Sequence, residues 1–260
     1  MRQDERAPFV QALQRARVSA YAPGEFVEQE SLMLAGEIRV LAVRAGIAPG
    51  VSVLDLCCGV AGPGRFITRE LGCAYLGVDL SASAIDIARA RAGDLPCRFE
   101  VSQIPPLPCG RFDVVLLLET MLAFPDKEAL VEAIARALPP GGRFAFTLEE
   151  GQPLTDAERA SMPDADTVWP TPLGEMVTYL ERAGLAVRRQ DDWSQSHRAV
   201  ADSLIAAFTA DSTEISAQIG HRALAELLAA HRLWSEWLSA GRVRKIAFVA
   251  ERTSGRWSSP

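Results

Sequence analysis

Short, dense apolar runs alternate along this chain with longer stretches in which apolar residues recur every third or fourth position. Val53-Leu54-Asp55-Leu56, Tyr75-Leu76-Gly77-Val78 and Val114-Val115-Leu116-Leu117-Leu118 are too short for helices and carry apolar residues on both faces. Buried strands of a parallel sheet read this way. The same pattern predicts strands over 51–56, 75–79, 97–101, 112–118, 143–148, 185–193 and 243–252. Helical spacing predicts helices between them, over 64–71, 82–92, 126–138 and 173–183, with Ser81 and Asp126 as N-caps. Strand–helix alternation of this kind predicts an α/β fold: a Rossmann-like, seven-stranded, mostly parallel sheet with helices on both faces.

Two regions depart from the alternation. Before the first strand, an amphipathic N-terminal arm helix is predicted over 5–19, with Phe9, Val10, Leu13 and Val18 at helical spacing. A second helix is expected over 30–45 after the break at Pro23-Gly24. After the fifth strand, 149–171 is acidic, contains Pro153, Pro163 and Pro170, and reads as an irregular connection. Two helices, 196–210 and 213–239, stand between the sixth and seventh strands and form a cap. The expected organisation is therefore an arm or lid over 1–50, a core over 51–195 and 241–252, and a cap over 196–240.

Composition narrows the classes of partner. With 260 residues, 48% hydrophobic and 23% charged, the chain can bury a full core. No apolar run approaches the roughly 20 residues of a membrane span, so no membrane partner is expected. The net charge of −6 argues against nucleic acid, whose phosphates need a basic face. The first residues have no apolar core of a signal peptide, and the five cysteines are odd in number with no C-x-x-C pair. Free thiols and a cytoplasmic location follow as expectations. His197, His221 and His231 lie far from the cysteines, and no metal site is expected.

The candidate chemistry sits where the first two strands end. Asp55 lies at the end of the first strand, followed by the small-residue turn Cys57-Cys58-Gly59-Val60-Ala61-Gly62-Pro63-Gly64, and Asp79 ends the second strand. Two adjacent strand ends with an acid on each describe a nucleoside site at the carboxyl edge of a parallel sheet. The motif resembles that of the class I S-adenosylmethionine-dependent methyltransferases, in their bacterial small-molecule branch. Their turn carries three alternating glycines; here Cys57, Gly59 and Ala61 hold those positions, and Ala61-Gly62-Pro63 is close to a frequent Gly-Gly-Pro. Arg111-Phe112-Asp113-Val114-Val115 and Leu138-Pro139-Pro140-Gly141-Gly142 continue the likeness in order and spacing.

The resemblance implies S-adenosylmethionine as cofactor and S-adenosylhomocysteine as product. It implies cofactor contacts from Asp55, Cys57, Cys58, Gly59, Asp79, Leu80 and Glu119, with Asp79 accepting from the ribose hydroxyls and Asp55 near the ammonium group. Gln103 and Ile104 stand where the family places its adenine contacts. No histidine follows the fourth strand, where Ala123 and Phe124 stand, so Glu119 and Glu149 are the candidate proton acceptors. Tyr21, Phe26 and Gln29 of the arm, with His197 and Trp234 of the cap, are the candidate lid and acceptor contacts.

The function so implied is methyl transfer to a small organic acceptor by in-line displacement, as in specialised biosynthesis, with C-methylation of an isoprenoid diphosphate included. Arg182, Arg188, Arg189 and Arg198 could meet such a diphosphate, with plain surface charge as their other reading. A nicotinamide-dependent dehydrogenase and a cofactor-binding cyclase without methyl transfer are the alternatives, and self-association into a homodimer stays open.

Overall fold

The computed structural model describes residues 11–162 and 165–254. Its sheet has seven strands: β1 (Ser52–Leu56), β2 (Ala74–Asp79), β3 (Cys97–Val101), β4 (Val114–Leu117), β5 (Arg143–Glu150), β6 (Leu185–Asp192) and β7 (Arg244–Arg252). They lie in the order β3-β2-β1-β4-β5-β7-β6, and only β7 runs antiparallel to its neighbours. The order reverses direction at β1, and ligands of open α/β sheets bind outside the carboxyl ends of strands at such a switch point.

Ten α-helices complete the described residues: α1 (Gln11–Ala20), α2 (Ala35–Arg44), α3 (Gly62–Leu71), α4 (Ala82–Ala92), α5 (Lys127–Ala137), α6 (Asp156–Ser161), α7 (Leu173–Arg182), α8 (Ser194–Ala210), α9 (Ser212–Ile219) and α10 (His221–Ala240). Strand alternation divides the core between two faces. Leu54, Val115, Phe144, Phe146 and Phe248 pack with Leu130 and Ile134 of α5 and Met176 of α7. Val53, Tyr75, Leu116, Ala145 and Val249 pack on the other face with Ile38 of α2, Ile67 of α3 and Ile85 of α4. Thr147, Glu149, Lys245 and Ala247 share the parity of this second face, which puts two charged residues on an inward side.

Several boundaries differ from the sequence expectation. The start of the arm helix, with Phe9 and Val10, lies outside the described residues. The second arm helix begins at Ala35 rather than at 30. Gln29, 2% exposed, accepts from the Val27 amide and donates to the Glu25 and Met33 carbonyls, so its side chain holds the loop out of a helix. The segment read as irregular contains α6, started by a capping box of Thr155 and Glu158 that the Thr-x-x-Glu spacing carries in plain sight. The long cap helix is two helices, because Gly220 takes φ 89° between them.

The arm does not stand apart from the cap. Ala12, Leu13 and Ala16 of α1 pack with Val200, Leu204 and Phe208 of α8 and with Leu224 of α10 in a third apolar cluster. Arm and cap thus form one helical layer over the carboxyl edge.

Close packing beneath the motif depends on Gly64, where an added Cβ would stand 2.1 Å from the Tyr75 ring. Tyr75 is 2% exposed and cannot turn aside. Gly64→Ala is expected to cost about 1–3 kcal/mol, seen as a lower urea midpoint at unchanged slope.

Candidate active site

The turn after β1 is built against the tip of β2. Cys57, Gly59 and Ala61 adopt φ of 57°, 55° and 54°. Two non-glycine residues therefore sit in the left-handed region, at roughly 1–2 kcal/mol each. Hydrogen bonds hold them there: the Cys58 amide donates to the Val78 carbonyl at 3.0 Å and the Ala61 amide to the Cys58 carbonyl at 2.8 Å. Asp79 completes the arrangement, accepting from the amides of Gly59 and Ser81, both at 2.8 Å.

Asp55 lies below this turn, 3% exposed, and accepts from the Tyr75 hydroxyl at 2.6 Å. Burial raises its pKa to about 7, against the Tyr75 hydrogen bond and with the Asp79 charge adding to the rise. Burial, with Asp79 and Asp55 nearby, also pushes the Cys57 thiol up to about 12, and Cys58 shifts the same way. Both thiols stay protonated and act as small filler rather than nucleophiles.

These residues line a crevice of ≈ 250 Å³. Its walls include Glu28, Glu30, Asp55, Asp79 and Glu119, and no lysine, arginine or histidine. Glu28 is matched from outside by Arg65 and, at 3.2 Å, by Arg91. The crevice therefore suits a cationic ligand that also offers hydroxyl donors.

A second cavity of ≈ 400 Å³ adjoins it, and the two share Gln29, Glu30, Ser31 and Glu119. Tyr21, Leu204 and Trp234 are among its further walls. At its floor lies a buried ionic cluster whose origin is the register of the sheet. Glu149 of β5 and Lys245 of β7 are direct cross-strand partners. Glu119 follows β4 beside β5, with φ 58° and its amide donating to Thr147 Oγ1 at 2.6 Å. Lys245 Nζ binds Glu149 Oε1 and, at 2.9 Å, Glu119 Oε2. His197 Nδ1 stands 3.7 Å from Glu119, and its Nε2 lies 3.2 Å from Glu37 Oε2.

Burial by itself would raise the pKa of Glu119, but Lys245 and His197 outweigh it and hold the carboxyl well below the usual range. Burial likewise works to lower Lys245, and Glu119 and Glu149 hold it above its ordinary value. Glu119 Oε1 and Glu149 Oε2 are buried without a hydrogen-bond partner. Free carboxylate oxygens in such a place cost several kcal/mol unless a ligand or ion compensates them.

The residues expected from sequence divide accordingly. Asp55, Cys57, Cys58, Gly59, Asp79 and Glu119 come together in the smaller cavity, and Glu149, Tyr21, Gln29 and Trp234 meet Glu119 at the larger one. Leu80 is 70% exposed, Gln103 is exposed and Ile104 packs on the core; none of the three lines the crevice. His197 lies behind Glu119, and Phe26 packs on Tyr21 with ring centroids 5.4 Å apart. Arg182, Arg188 and Arg198 pair with Glu128, Glu251 and Asp202, away from both cavities. Sequence pattern does not single out Lys245 and Glu37. A lysine in phase with the inward positions Ala247 and Val249 was the available signal.

Residues 53–142 match the family model described as a methyltransferase domain. This stretch belongs to the class I S-adenosylmethionine-dependent methyltransferases. Methyltransferase GfsG of Streptomyces halstedii is 32% identical over 109 residues, covering 40% of this chain and 39% of that relative. The chain spans less than half the length of the curated relatives it matches. Among solved structures, phosphoethanolamine N-methyltransferase 2 of Haemonchus contortus, in complex with S-adenosyl-L-methionine, superposes with a TM-score of 0.78 at 17% identity, over 98% of this chain and 60% of that one. The [4+2]-cyclase SpnF superposes with a TM-score of 0.75 at 18% identity, over 97% and 96% of the two chains. These likenesses share the fold.

In the methyltransferase domain the glycine-poor turn keeps its left-handed residues, so the departures at Cys57 and Ala61 leave the backbone path intact. Among the described residues no group of three histidine, cysteine, aspartate or glutamate side chains is placed to hold a metal ion. No described helix is long and apolar enough to cross a membrane.

Proposed function

We propose that the protein transfers the methyl group of S-adenosylmethionine to a small organic acceptor held in the larger cavity. The observation that carries this reading is the smaller crevice, with five carboxylates on its walls and no basic side chain. A sulfonium and an ammonium fit such a field, whereas the pyrophosphate of a dinucleotide would be repelled by it. Bound there, the cofactor supplies a methyl group already activated by positive sulfur.

The chain's residues would act as follows. Asp79 has a free lone pair on each oxygen beyond those used by Gly59 and Ser81, and these accept from ribose hydroxyls. Asp55 faces the ammonium group. Glu119 is common to both cavities and kept ionised by Lys245, so it presents negative charge at their junction. Glu149 belongs to the larger cavity alone and retains one free oxygen, which supports a role in taking a proton from the acceptor. Leu204, Leu227 and Trp234 of the cap cover the larger cavity, and the arm segment Gln29–Ser31 borders both, where they would limit access of water. A diphosphate acceptor finds little support, because Arg17 is the arginine on the cavity wall and pairs with Glu30 at 3.0 Å. Placement in specialised biosynthesis rests on family resemblance alone.

The test is calorimetric titration with S-adenosylhomocysteine, followed by labelled methyl transfer to a set of acceptors. Failure to bind the nucleoside would overturn the reading; binding with no turnover on any acceptor would indicate a cofactor-retaining protein. Asp55 adds a pH signature. The folded protein holds its proton up to about pH 7, whereas the ordinary carboxyl releases it near 3.8, so stability of the free protein falls as pH rises through that window. Affinity for S-adenosylhomocysteine is expected to move the other way, rising about tenfold between pH 5.5 and 7.5 as the carboxylate forms. A flat profile would remove Asp55 from the ammonium site.

A further inference from the structure

From the larger cavity we infer that the acceptor is an apolar-bodied molecule bearing an O–H or N–H donor, held at that donor by the free carboxylate oxygens of Glu119 and Glu149. The inference rests on the methyl-transfer reading only in calling the occupant an acceptor; the binding site stands on the cavity itself.

The cavity has apolar walls, and Arg17, Gln29, Glu30, Ser31 and His231 join the Glu119–Lys245–Glu149 cluster as its polar ones. Leu32, Leu122, Leu204, Leu227 and Trp234 form its walls, and ≈ 400 Å³ accommodates a body of about the size of a substituted aromatic ring. Among the polar walls, Glu119 and Glu149 are spanned by Lys245, which consumes one oxygen of each. The second oxygen of each is buried and unpartnered. An oxygen in this condition is an acceptor and nothing else, so the ligand atom that meets it must carry hydrogen.

The remaining polar groups point the same way. His231 on the wall uses Nδ1 with the Leu227 carbonyl at 2.8 Å, and burial lowers its pKa, so its other nitrogen is left as an acceptor. Tyr21 spends its hydroxyl on the Ser31 carbonyl at 2.6 Å. Of the cations, Arg17 is paired with Glu30 and Lys245 with two glutamates. A carboxylate or phosphate ligand would face two glutamates against one committed lysine and is excluded by charge. A ligand with an ether or ester in place of the donor would leave both oxygens unsatisfied.

Four matched probes test this: para-pentylphenol, para-pentylbenzylamine, para-pentylanisole and para-pentylbenzoate. Each is titrated into the protein by calorimetry, with and without saturating S-adenosylhomocysteine. The phenol or the amine is expected to bind at least about tenfold more tightly than the anisole, with the benzoate weakest. Which of the two donors leads tells oxygen from nitrogen as the preferred group. In Glu149→Gln the margin of donor over anisole is expected to shrink to less than about threefold, while affinity for S-adenosylhomocysteine stays within about threefold of the parent. Should that variant fail to fold, the ranking in the unmodified protein decides alone. Equal binding of all four, preference for the benzoate, or binding by none would overturn the inference. Absence of S-adenosylhomocysteine binding would instead overturn the methyl-transfer reading, and the probe ranking measured without it would still stand.

Discussion

Lys245→Met is expected to lower the unfolding free energy by about 3–5 kcal/mol and to abolish methyl transfer. The side chain is buried, and its ammonium is the cation between Glu119 and Glu149. Removing it strands two buried carboxylates without their counter-charge, which is far more costly than the net worth of the intact pair. Urea unfolding measures the loss. A companion double variant, Lys245→Met with Glu149→Gln, removes one stranded charge and is expected to recover part of it. If the two changes simply add, the cluster is not coupled and its role as the floor of the site fails.

The same cluster sets a pH range. Glu119 has its pKa depressed, so its contribution is present above the ordinary carboxyl value of 4.5 and is lost as pH falls through the lower folded value. Lys245 has its pKa raised, so its contribution is present below the ordinary 10.5 and is lost as pH climbs through the higher folded one. Unfolding by this cluster therefore belongs to strongly acid or strongly alkaline solution, while Asp55, raised to about 7, His231, lowered from 6.5, and Lys127, lowered to about 8, shape the pH-dependence nearer neutrality.

Asp79→Ala is expected to weaken S-adenosylhomocysteine binding by at least about thirtyfold, the loss of two charge-assisted hydrogen bonds at about 1.5–3 kcal/mol each, partly replaced by water. The carboxylate also accepts from Gly59 and Ser81, so the change loosens the turn that carries Cys57 and Ala61 in left-handed conformations. Asp79→Asn separates the two effects. It keeps one acceptor oxygen, and a smaller loss is expected if ligand contact dominates. Unchanged calorimetric affinity in both variants would take Asp79 out of the site.

What the sequence makes legible follows the range of the interactions. β1, β2 and β4 announce themselves because each is an uninterrupted apolar run set by its own neighbours. Ser81 and Asp126 mark helix starts by local capping, and the structure shows each accepting from an amide three residues on. Asp55, Gly59 and Asp79 are readable because a strand–turn–helix unit places them within one short stretch. The ionic floor is not readable in this way. Lys245 meets Glu149 across 96 positions and Glu119 across 126, and its local window shows only that it is in phase with inward Ala247 and Val249, not which groups it meets. The sequence puts His197 in the cap, but its place behind Glu119 depends on how α8 seats on β7. Gln103 and Ile104 show the converse limit, since a position counted along a motif does not decide which way a proline-rich loop turns.

The antiparallel course of β7 has an architectural consequence. The backbone leaves the sheet after β6, builds α8, α9 and α10, and returns so close to its departure that the Trp193 amide donates to the Lys245 carbonyl at 2.8 Å. The whole excursion is thus a cassette with its two ends stapled together. Recombining that cassette with one from another chain, spliced at these two points, would exchange the ceiling of the larger chamber while leaving the nucleoside half untouched.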